Sequence, residues 1–151
     1  MRWKRDMTPE EKDAYYAYQN DCYRRQGDRS KLNAAFKLMR KRGLLALQAY
    51  QCCSNCAGYA ITEKAVKLIS SGRKNKEDIR GCCFYHRQDA EDRDKGRPFY
   101  VRYGNIDSEE YGEIGEDTEK VGRVVGEALK EAGVSYDWDG SPHVAIEITD
   151  W

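Results

Sequence analysis

Cysteines are the residues of this chain with the clearest capacity for chemistry, and three of the six lie together as Cys52, Cys53 and Cys56. Three thiolates and one imidazole make a complete tetrahedral zinc site, and a turn at the start of a helix lets closely spaced cysteines converge on one ion. His86 is the candidate for the imidazole, because the order of elements described below brings it near the thiols. The pattern therefore predicts a structural zinc site at Cys52, Cys53, Cys56 and His86, although a zinc knuckle usually has two Cys-x-x-Cys pairs and this chain has one.

The same cysteines permit three other interpretations. Cysteine is among the most frequently buried residue types, so the thiols can be inert. Cys53 and Cys56, in a Cys-Ser-Asn-Cys stretch between a strand and a helix, can form a redox pair whose attacking thiolate is stabilised at the helix N-terminus. A hydrolase would use a cysteine nucleophile with His86 as base and Gln88 or Asp89 as the orienting group, but no oxyanion hole can be named. Cysteine spacing separates the metal, redox and inert interpretations poorly.

Two helices are predicted before the cysteines. Thr8, followed by a proline and two glutamates, is typical of a helix start and predicts a helix over 9–25. A serine cap and a closing glycine predict a second helix over 30–41. We therefore interpret residues 1–42 as an N-terminal helical arm and residues 43–151 as an α+β domain that carries the cysteine cluster.

The rest of the sequence has the pattern of a small sheet with two helices. Its apolar spacing predicts strands over 44–50, 82–88, 99–103, 134–138 and 144–149, helices over 57–71 and 119–132, a hairpin loop over 89–98 and an acidic loop over 107–119. The order strand, helix, strand, strand, helix, strand matches a ferredoxin-like split βαβ sandwich. In that topology the first two strands end at the same edge of the sheet, which brings the three clustered cysteines near His86.

Length and composition favour a single compact core. The chain has 151 residues, of which 40% are hydrophobic and 34% charged, and this is enough apolar surface for one domain. No apolar run approaches the roughly 20 residues that cross a bilayer, and the polar start of the sequence does not resemble a signal peptide. We therefore expect no membrane contact and a cytoplasmic location, where the cysteines are thiols or metal ligands and not a disulfide framework.

Charge is balanced in total but uneven along the chain. Residues 1–50 have twelve Lys and Arg against six Asp and Glu, a net charge of +6, and residues 51–151 have fourteen against twenty, a net charge of −6. Together with the tyrosines of the arm, the basic half could contact single-stranded nucleic acid. Pairing of the two halves within the molecule, and docking of the tyrosines onto the core, explain the same pattern and are the interpretation we favour.

Three sequence runs together resemble a known type of domain. They are the run Cys52–Cys56, the run Phe84–Glu91 that contains Tyr85-His86-Arg87-Gln88-Asp89, and the closing helix of 121–133 with Trp138, Asp139 and Gly140 after it. In that order they resemble a family of small bacterial domains of unknown function that has a Cys-Cys-x-x-Cys motif followed by a Tyr-His-x-Gln-Asp motif. The resemblance covers roughly residues 35–149 and leaves the tyrosine-rich arm outside the pattern. It implies that His86, Gln88, Asp89, Trp138 and Asp139 are binding residues.

These observations lead to one functional prediction and two alternatives. We expect a small intracellular module that is stabilised by zinc and binds a partner, in the first place a protein. The alternatives are a thiol enzyme, acting through the Cys53 and Cys56 redox pair or as a cysteine hydrolase with His86, and an accessory protein of a phage or mobile element that inhibits a host system. The sequence identifies no substrate and no oligomeric state.

Overall fold

The computed structural model of the protein describes residues 6–25 and 27–151. Five α-helices and seven strands occur in these residues. Their bounds are α1 Pro9–Arg24, α2 Ser30–Lys41, β1 Leu44–Leu47, α3 Ser54–Ser70, β2 Gly81–Phe84, α4 Arg87–Asp94, β3 Phe99–Gly104, β4 Ile106–Ser108, β5 Gly112–Ile114, α5 Thr118–Glu131, β6 Ser135–Asp137 and β7 Ile146–Asp150. A short 3₁₀ turn, Lys76–Asp78, precedes β2.

A mixed five-stranded sheet organises the fold, with the strand order β1-β2-β3-β7-β6. β1 and β2 are parallel, and each of the other neighbouring pairs is antiparallel. The predicted α+β class is confirmed. The ferredoxin-like arrangement is not confirmed. In a split βαβ unit a further strand lies between the two parallel strands. Here the parallel strands β1 and β2 pair directly, and β3 pairs with the side of β2 that faces away from β1.

Helices cover both faces of this sheet. On one face α2 and α5 form a large core with alternate residues of the strands; its fully buried members include Leu32, Phe36, Val125, Leu129 and Ile146. On the other face α3 and the β4–β5 hairpin form a smaller core, which includes Ala57, Ile61, Ala65, Ile106 and Ile114. Leu44 and Ala46 of β1 belong to the first core and Leu45 to the second, as the period-2 alternation of a strand requires.

Helix α2 is part of the larger core, although it lies in the segment interpreted as an arm. Its apolar face, with Leu32, Ala35, Phe36 and Met39, is fully buried against the sheet and α5. Helix α1 packs on α4, and the two guanidinium contacts from Arg25 to Asp94 are 2.9 and 2.8 Å long. The division of the chain at residue 42 stays a prediction.

Helix starts and ends follow the sequence signals where those signals are local. The Thr8 hydroxyl accepts a hydrogen bond from the Glu11 N–H at 3.1 Å, and Pro9 opens α1, as predicted. α2 has the predicted bounds, and α5 is displaced from the prediction by one residue at each end. α3 begins at Ser54, three residues earlier than expected, so that Cys56 lies inside the helix.

The largest correction concerns the segment after β2. The strand predicted over 82–88 ends at Phe84, and most of the predicted hairpin loop over 89–98 is helix α4. The reason is a capping box in which His86 and Asp89 each accept a backbone N–H from the other at the start of α4. The acidic loop predicted over 107–119 also contains structure, because Ile106 and Ile114 bury the ends of the β4–β5 hairpin.

Two glycines of α5 let other side chains pack close to the backbone of the helix, as their four-residue spacing predicts. A Cβ added at Gly122 would lie 2.7 Å from Trp138 and 2.8 Å from Tyr103, whereas a Cβ at Gly58 in α3 would have no atom within 4 Å. We expect Gly122→Ala to lower the free energy of unfolding by about 1–3 kcal/mol through overpacking. The matched control, Gly58→Ala, should raise it by about 0.5–1 kcal/mol through helix propensity. Urea unfolding curves check both values, and equal effects of the two substitutions would contradict the packing explanation.

Candidate metal centre

The cysteine cluster lies at one edge of the sheet, where two parallel strands end and two helices begin. β1 leads through residues 48–53 into α3, and we call these residues together with the start of α3, up to Cys56, the cysteine turn. β2 leads through two residues into α4. The Tyr50 N–H donates to the Tyr85 carbonyl at 2.9 Å, and the Arg87 N–H donates to the Gln51 carbonyl at 3.0 Å. These bonds extend the β1–β2 pairing into the turn, so the thiols and the start of α4 are held side by side, as the shared edge of β1 and β2 predicts.

The backbone of the cysteine turn is unusual at two residues. Ala49 and Gln51 have φ angles of 48° and 61°, in the left-handed region that residues with a Cβ seldom occupy. Such conformations persist only where surrounding contacts hold them, and they occur most often at functional sites. They lie in the bend between β1 and α3, just before Cys52 and Cys53.

The three thiols of the cysteine turn form a compact group. Their Sγ atoms all lie within 4.8 Å of one another, and the Sγ atoms of Cys52 and Cys53 are 4.0 Å apart. In a tetrahedral site with Zn–S bonds of about 2.3 Å, neighbouring sulfurs are about 3.8 Å apart. Cys52 is buried, Cys53 is half-buried at the N-cap of α3, and Cys56 is exposed in its first turn. The sulfur geometry therefore fits one metal ion that is reached from solvent on the Cys56 side.

Crowding of the thiols opposes their ionisation in the protein alone. Hydrogen bonding to Cys52, followed by burial and by hydrogen bonding to Cys53, raises the pKa of Cys56 to about 11. A neighbouring thiolate disfavours a second negative charge, and a bound cation removes this penalty because it interacts favourably with every thiolate. Cys56 is consequently a poor nucleophile on its own and a reasonable metal ligand.

His86 lies beside the cluster, but its ring nitrogens are not within 4.8 Å of all three Sγ atoms. It is buried, with 2% of its surface exposed. Its Nδ1 accepts the Asp89 N–H at 3.2 Å, and its Nε2 is 3.0 Å from the Ser54 hydroxyl. In the neutral tautomer whose Nδ1 accepts this bond, Nε2 carries the proton and donates it to Ser54. In this arrangement His86 joins the first turn of α3 to the first turn of α4, and its role as fourth ligand stays a prediction.

Asp89 holds the histidine from the other side. Its carboxylate is buried, and Oδ2 accepts the His86 N–H at 3.0 Å and an Arg102 guanidinium N–H at 2.6 Å. The same Oδ2 lies 3.3 Å from His86 Nδ1. Gln88, in the first turn of α4, is half-buried. The structure thus brings His86, Gln88 and Asp89 to the same edge as the cysteines.

Trp138 and Asp139 are placed elsewhere. They follow β6, which is the edge strand opposite β1 and four strands, or about 19 Å, away from it. Trp138 Nε1 donates to the Tyr103 hydroxyl at 2.7 Å, and the Asp139 carboxylate accepts the Ser141 N–H at 2.7 Å in a turn. β6 also runs opposite to β1, so its last residues lie at the other end of the sheet. Trp138 belongs to a half-buried corner and Asp139 to the exposed turn after it, and neither lies at the cysteine cluster.

Three residues of the site were not singled out by the sequence motifs. Ser54 and Arg102 contact His86 and Asp89 as described above. Gln19 of α1 is fully buried, and its Nε2 donates to the Cys52 carbonyl at 3.3 Å and to the Tyr15 hydroxyl at 2.9 Å. The spacing of Tyr15 and Gln19 on one helix face could have indicated that these two side chains meet. Their contact with Cys52 could not be seen from the sequence, because it joins residues 33 positions apart. The tyrosine-rich helix is therefore attached to the cysteine turn.

The remaining cysteines lie outside this group. Burial raises the pKa of Cys82 to about 12 and that of Cys83 well above the usual range. At pH 8 about one Cys82 side chain in 10⁴ is a thiolate, so we expect neither residue to react with iodoacetamide in the folded protein. Peptide mapping after alkylation measures this directly, and both residues should react in urea. Rapid alkylation of native Cys82 would contradict the burial.

No described helix is both long enough and apolar enough to cross a membrane.

Neither the curated proteins nor the solved structures include a match to the chain. Among protein families, residues 2–151 match Domain of unknown function (DUF6891). The expected resemblance to a family of domains of unknown function is confirmed, and the match also includes the N-terminal helices that the motifs leave outside the pattern. The chain therefore belongs to the DUF6891 family.

Proposed function

We propose that this domain is a zinc-stabilised binding module of the cytoplasm, in which Cys52, Cys53 and Cys56 bind one ion and the surrounding helices contact a protein partner. The observation that supports it is the group of three Sγ atoms within 4.8 Å of one another at the start of α3. Thiolate sulfur is the ligand type that zinc shares with few common metals, and three such ligands with one nitrogen complete a closed structural site. All six cysteines are thiols, which is consistent with a reducing compartment.

His86 is the proposed fourth ligand. Coordination through Nε2 would replace its contact with Ser54 and move the ring proton to Nδ1. A metal-bound histidine commonly donates its second N–H to a carboxylate, and Asp89 Oδ2 is already 3.3 Å from Nδ1. The ion pair with Arg102 holds that carboxylate in position. As a ligand, His86 would donate from Nδ1 to this carboxylate instead of accepting the Asp89 N–H of the helix cap.

Native mass spectrometry of protein purified without added metal tests the zinc site. We expect a mass excess of one zinc per chain that disappears on chelation and in Cys56→Ser. Cys22→Ala, which removes a buried thiol outside the cluster, should retain the ion. A folded, metal-free mass that does not change on addition of zinc would reject the proposal.

His86→Asn tests the fourth ligand separately. Asparagine is a good N-cap, so this substitution preserves the start of α4 while it removes the imidazole. We expect the circular dichroism spectrum to be unchanged and the zinc affinity, measured by competition with a chromophoric chelator, to fall at least about tenfold. Unchanged affinity would mean that the fourth ligand is not His86.

A thiol oxidoreductase is the second candidate, and one observation favours it. Cys53 is at the N-cap of α3 and Cys56 is in its first turn, and their Sγ atoms lie within 4.8 Å of one another, so oxidation could join them in a disulfide. The same mass spectra distinguish the two functions, because oxidation to a disulfide leaves the chain short by two hydrogens. A metal-free mass with that deficit would favour the oxidoreductase.

A further inference from the structure

A groove runs along the exposed side of α3, beside the cysteine turn. It has a volume of about 930 Å³, and its lining extends from Gln51 and Ala60 to Ser71 and Arg73. This volume lies in the range of about 300–1,000 Å³ that is usual for ligand sites. Cys56, Ala60, Lys64, Lys67 and Ser71 recur at three- and four-residue intervals and so share one face of the helix. The groove is thus a continuation of the face that carries the exposed thiol.

Positive charge dominates the walls of the groove. Lys64, Lys67 and Arg73 line it and are exposed, against the one carboxylate of Glu63. Within the described residues none of these three cations forms an ion pair. Several other basic side chains do pair with a carboxylate, on a neighbouring element or within one helix. Three unpaired cations over one concave surface favour an anionic ligand.

The floor of the groove is partly apolar. Tyr50 and Leu68 are half-buried and pack on the smaller core, and the half-buried Ala60 lines the groove one helical turn before Lys64. An apolar floor between cationic walls suits a chain that has both carboxylates and aliphatic side chains. It suits a nucleic acid less well, because three cations are few for a continuous phosphate backbone, which is usually neutralised by more basic side chains.

Length also indicates a short peptide. From Ala60 to Ser71 the helix rises about 17 Å at about 1.5 Å per residue. An extended peptide covers that distance with about five residues at about 3.3 Å each. We propose that this groove binds a short acidic segment of a partner protein in an extended conformation. The inference rests on the proposed function, since it names the partner class of that binding module.

Fluorescence anisotropy with labelled pentapeptides tests the inference. The probes are acetyl-Glu-Glu-Leu-Glu-Glu and the isosteric neutral peptide acetyl-Gln-Gln-Leu-Gln-Gln, added to the full chain as purified. We expect the acidic peptide to bind at least tenfold more tightly than the neutral one. Lys64→Glu combined with Lys67→Glu should abolish this preference, because it reverses two of the three groove charges.

A matched control distinguishes the groove from the overall charge. Lys120→Glu combined with Lys130→Glu makes the same change in net charge on exposed residues of α5, and it should leave peptide binding within twofold of the original chain. Equal losses in the two double variants would overturn the inference. So would tighter binding of a single-stranded oligonucleotide that the groove variant loses, or concentration-dependent self-association that blocks the peptide.

The zinc content of the same samples separates the inference from the proposed function. Native mass spectrometry of each variant reports whether the ion is present while anisotropy reports the peptide. Loss of the acidic preference in a zinc-loaded, folded chain would overturn only the groove. Retention of the preference in a folded chain that never binds zinc would overturn only the zinc site.

Discussion

Removal of zinc is expected to lower the midpoint of thermal unfolding by about 8–16 °C. A ligand present at 1,000 times its dissociation constant adds about 4.1 kcal/mol to the stability of the folded state. For a chain of 150–250 residues, each kcal/mol corresponds to about 2–4 °C. Calorimetry before and after chelation measures the difference. The proposed site spans the end of β1 and the start of α3, so its loss releases the turn that joins them.

Substitutions test whether that effect belongs to the cysteine turn. In Cys56→Ser the midpoint should already be low, and chelation should lower it no further, because the site has lost one of its ligands. Cys22→Ala loses a buried thiol of α1 and should still respond to chelation. A decrease on chelation that is the same in Cys56→Ser and in the original chain would show that the ion is bound elsewhere.

The limits of the sequence analysis follow from the range of the interactions involved. α1, α2 and α5 were predictable because their starts and ends depend on residues within one turn, such as Thr8 and the glycine with a φ of 81° at Gly133. The order of strands in the sheet depends on which edge of β2 accepts β3. No local pattern contains that information, and for this reason the ferredoxin-like arrangement is not confirmed although the α+β class is.

Helix α4 was missed because its start signal is uncommon. Serine, threonine, aspartate and asparagine are the usual N-caps, whereas here a histidine fills that position and Asp89 completes the capping box. The residues before it are all buried, and Cys82 to Tyr85 alternate between the two cores, so the sequence reads as a longer strand. Once His86 is known to be a cap, the helix formers that follow it explain α4.

The cysteine cluster was predictable from spacing alone, but the groups that surround it were not. Cys52, Cys53 and Cys56 are adjacent in the sequence, and the parallel pairing of β1 and β2 was enough to place His86 nearby. Arg102, which contacts Asp89 of α4, lies on β3, 13 residues later in the chain. Contacts of this kind become visible only when the strands are paired in register, and they determine how firmly the histidine is held.

Loss of Arg102 is expected to destabilise the protein strongly. Asp89 has 3% of its surface exposed, and the Arg102 guanidinium is the one cation of an arginine or lysine paired with it in the described residues. Removing one partner of a buried ion pair costs about 3–5 kcal/mol because the other charge stays buried. The Arg102 side chain is 34% exposed, so we expect Arg102→Met to cost about 3 kcal/mol, at the lower end of that range.

A double-mutant cycle separates the ion pair from the packing of the arginine stem. Asp89→Asn retains an oxygen for the His86 N–H and removes the buried charge, so the free energy of unfolding of Arg102→Met should be partly restored in the double variant. Urea unfolding of the four proteins gives the coupling energy, which should exceed about 1 kcal/mol for groups in direct contact. Additive losses would mean that Asp89 does not depend on Arg102. In that case the helix cap alone, and not the ion pair, would hold His86 beside the cysteines.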